Sequence, residues 1–199
     1  MMQLTFNSTA RKLVASAFLI SSLALTGCVS IQMPEPTPSA ANVEKLRGAQ
    51  LAPANVGNFV LAAGKPADMD TSLGGLRGSS VKPGSGSFSK QLRDELLTEL
   101  KAASLIDPAA KVLIEGQLTD SMVDAAMGTG KGRLAARFTV KREGLVVFDK
   151  ELAADASWES SFVGAIAIPA AVNQYGALYK ALVGKLIDDP DFRKALRKN

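Results

Sequence analysis

The chain contains one cysteine, Cys28, in 199 residues. No internal disulfide can hold its fold together, so any core must be stabilised by burial alone. The residues before this cysteine narrow the reading further. Arg11 and Lys12 make a basic start, Leu13 to Leu25 (LVASAFLISSLAL) an apolar run, and Gly27 supplies a small residue at its end. Basic, apolar and small segments in that order mark an export signal that is cleaved from the mature chain. A membrane-spanning helix needs about 20 apolar residues, and this run is shorter and carries Ser16, Ser21 and Ser22. An ordinary secretory signal, cleaved near Ala24 or Thr26-Gly27, is the closer competitor.

Leu25-Thr26-Gly27-Cys28 resembles the bacterial lipobox, whose cysteine is acylated on its thiol and becomes residue one of the mature protein. A secreted chain that uses cysteine for disulfides carries an even number, whereas here the only cysteine stands at the lipobox position. The resemblance implies that residues 1–27 are a lipoprotein signal peptide and that Cys28 is the lipidation site. Attachment to a membrane through N-terminal acyl chains, palmitate among them, follows from it.

Removal of residues 1–27 leaves 172 residues, enough for one domain with its own core. The formal charge of +4 falls to +2, because Arg11 and Lys12 leave with the signal. A nucleic-acid binder would carry a stronger basic stripe with interleaved aromatics, so no nucleic acid is expected as a partner. The chain has no histidine. That removes the commonest general base, the triads built on it and the usual zinc ligand. Carboxylate pairs remain conceivable for catalysis, but no pair is singled out by its spacing. The expectation is a protein that is not an enzyme, with no catalytic residue, cofactor or metal.

Along the mature chain, Pro34, Pro36 and Pro38 alternate. Such spacing favours extended backbone and removes amide donors, so residues 28–50 read as a Pro-rich tether to a globular domain over 51–199. A first strand is predicted over 56–62, followed by a Gly/Ser/Pro-rich connection over 64–87 that Leu73, Leu76 and Val81 could dock. Ser87 is a suitable N-cap for a helix whose apolar stripe is Phe88, Leu92, Leu96, Leu100 and Ala103. Alternation predicts a strand from Val112 to Leu118, continuing past a bulge over 122–126. The run Gly128-Thr129-Gly130-Lys131-Gly132 reads as the next turn. It is not a phosphate loop, since Gly132 stands where Ser or Thr should follow the lysine.

The strand after it places Leu134, Ala136, Phe138 and Val140 inward and Arg133, Arg137, Thr139 and Lys141 outward. Past a turn at Glu143-Gly144, Val146, Phe148, Leu152, Ala154, Ala156 and Trp158 share one parity, broken by Lys150, opposite Asp149, Glu151 and Asp155. The cationic and anionic outer faces of these neighbours predict cross-strand ion pairs. Residues 162–168 are the most apolar stretch after the signal. They read as a buried crossing from sheet to helix, since most such runs are core. The alternative is an exposed patch, which makes Phe162, Val163, Ile166 and Ile168 the candidate partner surface. Pro169 suits a first helical position, ahead of a stripe of Val172, Tyr175, Tyr179, Leu182 and Leu186. Asp189-Pro190 then starts a short last helix, and Arg193, Lys194, Arg197 and Lys198 suit its C-terminal end.

The resulting order, β-α-β-β-β-α plus a short C-terminal helix, defines an α+β domain. Its expected form is a mainly antiparallel four-stranded sheet with two helices packed on one face. With the lipobox and the C-terminal Asp189-Pro190-Asp191-Phe192, this order resembles the YajG-type envelope lipoproteins of proteobacteria. It is also similar to the auxiliary lipoproteins of envelope ABC transporters and to the lipopolysaccharide-assembly lipoprotein. The resemblance implies a lipid-anchored domain on the periplasmic side of the outer membrane, where it binds an envelope protein or lipid partner. Val29 after the cysteine resembles the outer-membrane sorting pattern. The alternative is a periplasmic module holding an acyl chain or other small hydrophobic ligand between sheet and helices near residues 162–168.

Overall fold

The structure, a computed structural model, describes residues 30–198. The expected signal peptide and Cys28 lie outside the described residues. In chain order the elements are β1 (Ser30–Gln32), α1 (Ala40–Gly48), β2 (Asn55–Leu61), α2 (Asp68–Thr71), β3 (Leu73–Leu76), β4 (Ser79–Lys82), α3 (Phe88–Ala102), β5 (Val112–Asp124), β6 (Gly128–Arg142), β7 (Leu145–Ser160), α4 (Gly164–Asp188) and α5 (Pro190–Ala195). The architecture is α+β.

The main sheet has the order β2-β5-β6-β7. β5, β6 and β7 form the expected antiparallel meander, while β2 pairs parallel to β5. That parallel edge follows from connectivity: β2 reaches β5 through α3, and a helical crossover returns the chain in the same direction. α3 and α4 cover one face. Leu92, Leu96 and Leu100 from α3 and Tyr175, Tyr179, Leu182 and Leu186 from α4 are buried with Ile114, Leu118, Leu134, Phe138 and Val140 of the sheet. The opposite face carries the ion pairs that the outward charges predict. Arg137 grips Asp149 through two nitrogens at 2.6 and 2.7 Å, Arg133 bridges Asp120 and Asp155, and Lys141 meets Glu115.

α3 is capped as expected, with Ser87 Oγ accepting from the Lys90 amide at 3.1 Å. α5 is capped by Asp189, whose carboxylate accepts from the amides of Asp191 and Phe192. α4, by contrast, begins five residues before Pro169 rather than at it. A proline this near the start removes only the amide that would reach back to Ala165, and the helix tolerates the loss.

Four further differences from the sequence reading have physical causes. The connection over 64–87 contains α2 and the β3–β4 hairpin, docked by Leu76 and Val81, both fully buried. This hairpin and β1 make a second sheet of order β1-β4-β3. The glycine-rich run 128–132 is not a turn but the start of β6; the turn lies at 125–127. Its glycines serve close packing. Trp158 lies across Gly130 from its register partner position on β7, and Leu178 of α4 closes over Gly132.

The fourth concerns the spacer expected over 28–50, which from Ser30 on belongs to the packed body. Met33, Val43 and Leu46 are buried, and α1 lies against α3 and α4. Prolines lack amide donors but keep their carbonyls, and the two helices supply the missing donors. Gln91 donates to Pro34 O at 3.0 Å, and Lys180 donates to Thr37 Oγ1 at 2.9 Å. The buried Glu99 carboxylate accepts from the Ser39 amide at 3.0 Å and from Asn42 Nδ2 at 3.1 Å.

Candidate functional site

The β5–β6 turn, the β3–β4 turn and the link from β7 into α4 meet at one end of the molecule. Arg77 ties them together. It occupies a two-residue hairpin turn with Gly78, both at positive φ (53° and 86°). Its guanidinium donates to Ala125 O (2.7 Å), Ser161 O (2.6 Å), Phe162 O (3.0 Å) and Ser160 Oγ (3.2 Å). Four acceptors from two other segments offset the strain of a non-glycine residue in the left-handed region.

Against this braced frame, large apolar side chains point into water. Phe162 is 77% exposed, Met127 68%, Ile166 61% and Val163 56%. The buried-crossing expectation for 162–168 therefore fails for Phe162, Val163, Ala165 and Ile166. The reason is topological: α4 starts at Gly164, so Val163 and Ile166 stand at its free N-terminal end, beyond the sheet edge that would cover them. Ile168 alone of the four candidate residues packs against the core. The structure thus brings Phe162, Val163 and Ile166 to one end and separates Ile168 from them. Met127 joins that end with no periodic signal in the sequence, because only the β5–β6 turn places it there.

The opposite end of the sheet has different chemistry. The β6–β7 hairpin turns at Glu143-Gly144 as expected, with φ of 52° and 84°, and exposes Leu145, Val146 and Val147. Beside it, Arg142, Lys150, Lys194, Arg197 and Lys198 line an open concavity of about 650 Å³. Lys150 pairs with Asp189 at 2.6 Å, and Arg142 donates to Ala195 O and Arg197 O. Burial pushes the Asp189 carboxyl up, but Lys150 and the amides of Phe192 and Asp191 outweigh it and hold it below the usual range. The basic C-terminal residues therefore lie far from the apolar end.

A third concave region, about 310 Å³, lies between the segment 33–37, α3 and α4. Glu95 borders it, 3% exposed, with Oε1 making no hydrogen bond. Burial pushes this carboxyl up to about 7; Lys180 pulls it back and the charge of Glu99 adds to the rise. The apolar stripe of α3 does not include Glu95, and only α1 and the segment before it turn that side of the helix into an interior. Deeper in, Ser121, Tyr175 and Tyr179 form a hydrogen-bonded chain at 2.5 and 3.0 Å, and burial raises both phenols well above their ordinary range. Phenols so disfavoured as anions act as fixed dipoles in the core. Side chains of Phe138, Leu134, Phe88 and this tyrosine pair are buried between sheet and helices. Among the described residues no group of three or more carboxylates or other ligands is placed to hold a metal ion, and no helix is long and apolar enough to cross a membrane.

No family model and no curated protein sequence matches the chain. The fold is similar to the crystal structure of a Xanthomonas campestris protein of the DUF330 family. The TM-score is 0.53 at 14% identity, over 80% of this chain and 95% of that one. At that identity the likeness is one of fold. A Caulobacter crescentus protein described as "a putative lipoprotein" matches over 78% of this chain and 94% of its own at 12% identity, with a TM-score of 0.42, too loose to bear on function.

Proposed function

We propose that this chain is a non-catalytic lipoprotein of the bacterial envelope, related to the YajG-type proteins. Acyl chains on Cys28 hold it in the outer membrane facing the periplasm, and its domain binds an envelope protein or lipid partner as an accessory to assembly or transport. Acylation is physically sufficient for the anchoring, since each buried methylene contributes about 0.8 kcal/mol and stable attachment takes more than one chain. The observation that carries the reading is the coincidence of a lone cysteine with the lipobox and an exposed apolar surface on the folded domain. Glu99, Tyr175 and Tyr179 are each engaged inside the core rather than presented in a cleft.

Cys28→Ala tests it. The variant should leave the membrane pellet and appear in the soluble periplasmic fraction, while its folded domain stays intact by circular dichroism. Retention in the pellet would show that the sulfur is not what holds the chain there.

A further inference from the structure

We propose that the apolar end formed by Met127, Phe162, Val163 and Ile166 sits in the bilayer interface beside the acyl chains, as a second membrane contact. This rests on the lipid-anchor reading above and adds to it a defined orientation of the domain.

Ser30 is already fixed in β1, in register with Ser80 of β4, their hydroxyls 3.3 Å apart. One residue, Val29, separates it from Cys28, a span of at most about 7 Å when extended. Ser80 lies three residues beyond Arg77 in the same hairpin, and Arg77 holds the carbonyls of Ser161 and Phe162 directly. The anchor point and the exposed apolar residues are therefore parts of one braced end. A long flexible tether would let any face of the domain meet the membrane; a one-residue link admits only the surface around Ser30.

The chemistry of that surface suits lipid. Its large exposed side chains are Phe, Val, Ile and Met, and the guanidinium of Arg77 is turned into the frame. Arg77 spends its donors on four oxygens of the frame, and Asp124 accepts from the Ala126 amide. Lys131 and Glu159, both exposed, stand one to three residues back along β6 and β7 from the Gly128–Ser160 pair that ends the sheet. Three strand residues cover about 10 Å, so Lys131 falls at headgroup level when the tip is immersed. The frame is fixed before contact, so little ordering opposes immersion. The basic concavity at the other end of the sheet then faces away from the membrane.

The test uses the acylated full chain, in which Phe162→Cys introduces the one free thiol, because Cys28 is the only native cysteine. A polarity-sensitive fluorophore is attached there, and at Leu145→Cys as the distal comparison. Both proteins are reconstituted in vesicles of phosphatidylethanolamine and phosphatidylglycerol carrying a lipid spin-labelled near the headgroup. Burial of an apolar face about 5–10 Å into the interface should shift the emission at position 162 to the blue and quench about half of it, leaving position 145 unchanged. If the protein floats with the vesicles while the probe at 162 stays in water, the orientation is wrong and the anchor stands. A blue shift without quenching by spin-labelled lipid would mean a protein contact, a second copy or a partner, and overturns the proposal. A chain that does not float with the vesicles fails at the anchor and takes the orientation with it.

Discussion

Glu95 and Glu99 stand one turn apart on α3, and both are buried, yet their surroundings differ. Glu99 is met by a backbone amide and by Asn42, which itself also donates to Lys180 O at 3.1 Å, so one carboxylate joins α1, α3 and α4. Glu95 has an oxygen with no partner, and removing a carboxylate from water without compensation favours its neutral form. Its pKa in the folded chain, about 7, lies above the ordinary 4.5, so the folded state holds the proton more tightly. The contribution is therefore fully present below pH 4.5 and is lost as pH rises through 7. A gap of this kind corresponds to about 3 kcal/mol at most. Glu95→Gln should remove that slope. Urea denaturation at pH 5 and pH 8 should give the native chain a lower midpoint at pH 8 and the variant nearly equal midpoints; a native chain as stable at pH 8 as at pH 5 would contradict the assignment.

At the scale of elements, the β6–β7 pair shows how a glycine-rich run can read as a loop and fold as a strand. Glycines at 130 and 132 lie on the helix-covered face, and the missing side chains are replaced by neighbours: Trp158 across the pair and Leu178 from α4. A Cβ at position 130 would fall inside the indole. Gly130→Ala should therefore displace Trp158 and destabilise the domain by about 1–3 kcal/mol, the usual range for forcing extra volume into a packed site. The chain has one tryptophan, so the displacement should appear as a red shift in intrinsic fluorescence together with a lower denaturation midpoint. An unchanged emission spectrum would mean that the indole does not lie over this glycine. The same element logic explains why the arginines of β6 are structural. Arg133 and Arg137 are answered across the sheet by Asp120, Asp155 and Asp149, as opposite charges on neighbouring strands require.

For the whole molecule, the segment 30–48 matters most, because it adds a layer outside the two covering helices and brings Ser30 to the apolar end. Its removal would expose the outer sides of α3 and α4 and strand the Glu99 carboxylate without its donors. A chain begun at Leu51, where the sequence pattern places the domain boundary, should consequently unfold several kcal/mol more easily than one begun at Ser30, given that each large buried side chain contributes about 1.5–3 kcal/mol. Comparable thermal midpoints for the two would show that the segment is a passive cover. Much of the rest was legible in advance. The stripes of α3 and α4, the caps Ser87 and Asp189, the meander β5-β6-β7 and the ion-paired outer face all follow from spacing and parity, which depend on residues near one another in the chain. The candidate surface was legible only as an apolar stretch at 162–168. Whether it lay inside or outside depended on where α4 began and where the sheet ended, and Met127, Arg77 and Ser30 joined it through contacts between segments remote in sequence. Local periodicity states which side chains share a face; it does not state what covers that face. The sequence alone carries the expectation of an export signal and determined the lone thiol and the amphipathic elements, because these are written in consecutive residues. The tertiary structure alone decided that the proline segment is packed, that Glu95 is enclosed and that the apolar end stands open, because burial is a property of neighbours brought together by the fold.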